Sequence, residues 1–126
     1  MANPAPGFIR HPNHEVRIEP LATTVQVFCG ETRVARSTRA LQVFESRYEP
    51  VCYLPMDDVD QHLLTATSTD TYCPFKGHAR YWSLNTPQGT TQDALWAYQD
   101  PYDECQALAG YVAFYPDKVN VVIDAG

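Results

Sequence analysis

The chain predicts a mainly β, antiparallel domain. Apolar residues recur at alternate positions in short runs, turn-forming residues separate those runs every eight to twelve residues or so, and helix-like composition is confined to one or two short stretches. Together these features predict about eight to ten strands in antiparallel sheets with one or two short helices. A parallel α/β arrangement is disfavoured because its crossovers need helices that this chain does not supply. At 126 residues there is room for one domain with a genuine core.

Residues 1–14 are rich in proline and polar groups and lack periodicity, so they read as a flexible lead-in to a single domain spanning 15–126. Val16 and Ile18 alternate with Glu15, Arg17 and Glu19, the period of a half-buried strand that stops at Pro20. Cys29-Gly30-Glu31 divides Val25-Gln26-Val27-Phe28 from Thr32-Arg33-Val34-Ala35, which predicts a hairpin because glycine accepts the turn dihedrals. Leu41, Val43 and Glu45 share parity; if the first two face the core, Glu45 becomes a shielded carboxylate at the strand's end. The alternative is a strand that ends or twists at Phe44 and leaves Glu45 solvated.

Val51, Tyr53 and Pro55 form a short strand. Met56 to Leu64 places carboxylates early and apolar residues late, as in a short helical turn. Threonine-rich 65–70 reads as an edge strand or loop. Cys73-Pro74 and Lys76-Gly77 then build a tight turn feeding a strand on which His78, Arg80 and Trp82 face one way and Ala79, Tyr81 and Ser83 the other. A turn at 85–89 leads to a strand carrying Ala94, Trp96 and Tyr98 on one face. Tyr102 to Ala109 reads as a helix of about two turns stopped by Gly110. Val112 and Phe114, then Val119, Val121 and Ile123, supply the last strands.

The formal net charge of −6 disfavours non-specific binding to nucleic acid or to a membrane surface, since there is no excess of cations to meet phosphates. No apolar run reaches bilayer length and no charged-then-apolar leader opens the chain, so a cytoplasmic location is expected. Cys29, Cys52, Cys73 and Cys105 are widely spaced without a C-x-x-C pair, which predicts free thiols and no zinc site. His11 and His14 straddle Pro12 with no further ligands nearby, and Asp57, Asp58 and Asp60 lack the glycine and glutamate of a calcium loop. No metal or other cofactor is expected.

The chain resembles the DUF427 domain family. The resemblance rests on Ser37-Thr38-Arg39-Ala40-Leu41 with Glu45, Tyr53-Leu54-Pro55 with Asp58-Val59, and Thr71-Tyr72-Cys73-Pro74-Phe75-Lys76-Gly77 with Ala79 and Tyr81. Trp96-Ala97-Tyr98 with Pro101 and Gly110-Tyr111-Val112-Ala113-Phe114-Tyr115 complete it, over about residues 16–123. It implies a β-tent fold of Mss4-like topology. The structural zinc common in that topology does not carry over, because its paired C-x-x-C motifs are missing. The family's nucleotidyltransferase label finds no phosphate-cradling glycine loop and no Gly-Ser pair with spaced aspartates.

The expected function is an unknown small molecule held around the Cys-Pro-Phe-Lys-Gly loop, for binding or for catalysis. Lys76 would hold an anionic group, Glu45 would act as acid or base, and Cys73 would be a nucleophile if the lysine lowers its pKa. Tyr53, Tyr81, Trp96 and Tyr98 would line the ligand wall and exclude water. The alternative is a non-enzymatic interaction or ligand-sensing domain, such as a homodimer joined through an exposed edge strand.

Overall fold

A computed structural model describes residues 2–124; Met1, Ala125 and Gly126, at the ends of the two expected segments, lie outside it. Among the described residues ten strands form two antiparallel sheets. They are β1 (Val16–Pro20), β2 (Val25–Cys29), β3 (Thr32–Ser37), β4 (Leu41–Glu45), β5 (Val51–Pro55), β6 (Leu64–Cys73), β7 (Gly77–Thr86), β8 (Gly89–Ala97), β9 (Tyr111–Phe114) and β10 (Asn120–Ile123). The larger sheet runs β1-β4-β5-β9-β8-β7-β6 and the smaller β10-β2-β3. The expectation of a mainly β domain of antiparallel sheets is met, and among the described residues the helical content is short: one α-helical turn, α1 (Gly7–Arg10), and three 3-10 segments. Among the described residues no helix is long and apolar enough to cross a membrane.

Alternation decides which face each strand buries. On β5 and β9, Leu54 and Val112 point toward the smaller sheet and pack with Val25, Val27, Val34, Leu84 and Leu95; their neighbours Tyr53 and Ala113 point to the opposite face. Gly30, at φ +60°, makes the predicted β2–β3 turn. A register shift after Val27 then lets Val34 and Ala35, adjacent in sequence, both be buried.

The second face of the larger sheet carries a smaller cluster of Val43, Tyr53, Cys105, Leu108 and Ala113. Its cover comes partly from Asp103–Leu108, which corrects the two-turn helix expected there. This segment is a 3-10 helix with a break at Cys105 (φ −121°, ψ 22°). Cys105, at the break, and Leu108, at the end of the segment, are both buried against the sheet.

The N-terminal segment, expected to be a flexible lead-in, is anchored. Gly7 N–H donates to Pro74 O at 2.9 Å, Asn3 and Asp103 exchange two bonds, and Ala5 N–H donates to Glu104 Oε1 at 2.8 Å. A Cβ on Gly7 would lie 2.7 Å from the Phe75 ring, so the close approach of α1 to the 73–77 turn requires glycine. Sequence periodicity cannot reveal this docking, because the segment's own share of these bonds comes from its backbone groups.

Candidate functional site

Strand register builds one wall of a recess. Tyr53 on β5 lies opposite Ala113 on β9, Ala113 opposite Trp96 on β8, and Trp96 opposite Tyr81 on β7. The small Ala113 leaves room for the rings on either side of it, and Trp96 Nε1 donates across the gap to the Tyr53 hydroxyl at 3.3 Å. Tyr115, just beyond β9, closes the row: its ring centroid is 4.5 Å from that of Trp96, and its hydroxyl donates to the Tyr81 hydroxyl at 3.2 Å. The Tyr81 hydroxyl also bonds Thr71 Oγ1 at 2.9 Å.

Glu45 reaches the same recess from the end of β4, where it pairs with Val16 of β1. The inward reading of its parity therefore holds. The chain reverses immediately afterwards, with Ser46 at φ +43° and Tyr48 N–H donating to Glu45 O at 2.8 Å, so the carboxylate sits at a fixed corner. Lys76 comes from the other side. The 73–76 turn and a bond from Tyr102 N–H to Lys76 O at 3.0 Å hold its backbone, while Gly77 takes φ +119°. Lys76 is only 5% exposed, and its Nζ donates to Glu45 Oε1.

The second carboxylate oxygen bonds His14 Nε2 at 2.8 Å, and the His14 ring stacks on Phe75 at 3.8 Å between centroids. Burial alone would raise the Glu45 pKa, but the hydrogen bond and charge of Lys76, followed by those of His14, hold it below the ordinary carboxyl value. Desolvation instead pushes the phenols of Tyr53, Tyr98 and Tyr115 upward. At neutral pH these phenols are donors, while Glu45 is an anionic acceptor.

The recess holds about 240 Å³ and is lined by Glu45, Lys76, Tyr53, Tyr81, Trp96 and Tyr98, with Val43, Val51, Tyr48, Glu49 and Tyr115 completing it. Six of the seven sequence-predicted site residues thus come together. Cys73 does not line it; it is half-buried at the end of β6. His78, the base nearest to it in sequence, pairs with Asp70 at 3.6 Å and tilts over Tyr72. Lys76 is committed to Glu45 and Glu49 adds a second carboxylate, so the charged lining leaves no net positive charge for the anion expected at Lys76.

Sequence reasoning missed His14, assigned to the lead-in, and Tyr115. No sequence signal marks His14, because its place beside Glu45 follows from the β1–β4 register that sets Val16 opposite Glu45. Among the described residues no three His, Cys, Asp or Glu side chains gather as a metal site, and all four cysteines are free thiols.

Fold and site together define a small antiparallel β protein with an aromatic recess closed by a buried ion pair. The chain belongs to the family described as a domain of unknown function, DUF427, whose model matches residues 17–125. No curated protein matches it.

Proposed function

We propose that the recess beside the Cys-Pro-Phe-Lys-Gly turn is a small-molecule site. The observation that carries this reading is the set of polar groups left unmatched among the rings. Glu45 takes one of the three N–H donors of Lys76, and the Tyr98 hydroxyl has no protein partner among the described residues. A ligand with hydrogen-bond acceptors and a flat or apolar surface satisfies both the donors and the rings. Glu45 stays ionised at neutral pH and accepts hydrogen bonds from a ligand, while the same lowered pKa makes it a weak base and favours binding over proton transfer.

The four free thiols support a reducing, cytoplasmic setting for this activity. A partner-binding or homodimeric role is the second reading, and it draws on β6, the ten-residue edge strand of the larger sheet with Tyr72 exposed on it. It ranks second because the register break between Ala66 and Asp70 interrupts the ladder that such pairing would extend.

A thermal-shift screen of a metabolite library against the wild type and Lys76→Met tests the site, since a ligand that binds only the folded state raises its melting temperature. The proposal expects hits on the wild type that Lys76→Met loses while remaining folded. Hits of equal size on both proteins would contradict it.

A further inference from the structure

The aromatic recess opens beside a second one of opposite electrostatic character. This open recess holds about 580 Å³ and is lined by Arg10, His11, Pro12, Asn13, His14, Arg47, Tyr48 and Phe75. No carboxylate is among its lining residues, although the chain as a whole carries a net charge of −6. Tyr48 lines both recesses, and the His14–Glu45 contact at 2.8 Å links their walls, with His14 on one side and Glu45 on the other.

Neither arginine is neutralised: among the described residues no carboxylate lies within 4.0 Å of Arg10 or Arg47, whereas Arg17, Arg39 and Lys76 are all paired. The backbones that carry them are fixed. Arg10 ends α1, which Gly7 ties to Pro74, and His11 N–H donates to Gly7 O at 2.9 Å. Arg47 follows Ser46, whose N–H donates to Glu15 O at 2.9 Å and whose Oγ accepts from Glu15 N–H at 3.1 Å. His14 is already engaged by Glu45, so Arg10, His11 and Arg47 are the groups free to meet a ligand.

From this geometry we infer that the basic recess is a phosphate-binding subsite, and that the molecule taken by the aromatic recess is a small phosphate monoester. The inference rests on the small-molecule reading above and adds its substrate class. Guanidinium groups pair with phosphate oxygens through two parallel N–H donors, which gives orientation as well as attraction. The oxyanion role that the sequence assigned to Lys76 thus passes to Arg10 and Arg47, and the ion pair is left to face the uncharged part of the ligand. The N-terminal segment lies ahead of the residues matched by the family model, so this subsite belongs to the chain's own leading residues as much as to the shared domain.

Phenyl phosphate, inorganic phosphate and benzyl alcohol, titrated separately and followed by two-dimensional NMR, test the inference on the wild type and on the double variant Arg10→Ala/Arg47→Ala. Both arginines are exposed and unpaired, so the double variant keeps the unliganded melting temperature. Phenyl phosphate is expected to shift both the Arg10–His11 amides and the Trp96 indole, with affinity falling at least about tenfold in the double variant and weakening with added salt. Equal affinity in the double variant overturns the inference. If benzyl alcohol moves the Trp96 indole as strongly as phenyl phosphate does, the phosphate subsite is overturned and the small-molecule reading stands. A lack of response to all three probes also overturns the subsite, and the small-molecule reading is then decided by the library screen alone.

Discussion

The two faces of the larger sheet are built on different principles. Toward the smaller sheet, Leu54, Leu84, Leu95 and Val112 are buried among apolar neighbours and depend on shape and exclusion of water. On the other face, Tyr53, Trp96, Glu45 and Lys76 are held by directional bonds between residues 31 to 43 positions apart. Each face leaves a recess, of about 230 Å³ on the first and about 240 Å³ on the second; the first is lined chiefly by apolar side chains such as Leu54, Phe114 and Val121, the second by groups that still have bonding capacity. Spare bonding capacity is what a polar ligand uses, which is why the proposed site lies on the polar face.

Substitutions can separate the two faces. The largest effect is expected on the apolar side, where Leu54→Ala should cost about 3–4 kcal/mol by urea denaturation because the inter-sheet core cannot collapse around the missing atoms. The aromatic recess should persist, with the Trp96 indole shift unchanged.

Next comes an asymmetry within the ion pair. The Lys76 side chain is 7% exposed and that of Glu45 21%. Glu45→Gln strands a buried cation and should cost about 2–3 kcal/mol. Lys76→Met leaves a carboxylate that still has His14 and some water, and should cost about 1 kcal/mol. Equal losses in the two variants would show that burial does not govern the pair.

The same pair sets a pH dependence. Because the folded Glu45 pKa lies below its ordinary value of 4.5, its contribution is complete above about pH 4.5 and fades as the pH falls through the lower folded value. Acid titration of stability should therefore be flatter in Glu45→Gln across that window. The smallest effects concern the phenols. Tyr53→Phe loses the Trp96 bond and should cost about 1 kcal/mol, whereas Tyr98→Phe, with no protein partner to lose, should change stability by less than about 0.5 kcal/mol.

Alternation made the fold legible, since Val25 and Val27, and Val112 and Phe114, announce strands and faces by spacing alone. It also carried part of the site: the parity of Leu41, Val43 and Glu45 offered an inward carboxylate as one of two readings, and the Pro74 and Gly77 turn predicted a fixed Lys76. Register was not legible. That Tyr53, Ala113, Trp96 and Tyr81 form one row depends on how four strands from distant parts of the chain align. His14 was hidden for a related reason, because an aperiodic segment held by backbone bonds leaves no hydrophobic pattern. Cys73 lies outside the recess, where the Cys-Pro element that marks the turn positions its neighbour Lys76.

A crystal structure of the protein soaked with the strongest thermal-shift hit shows whether the Glu45–Lys76 recess receives a ligand, as proposed. Ligand density is expected among Tyr53, Trp96 and Tyr98, with ligand atoms within hydrogen-bonding distance of Lys76 Nζ and the Tyr98 hydroxyl. Well-defined ligand density elsewhere on the protein, with the recess holding only water, would contradict the proposal.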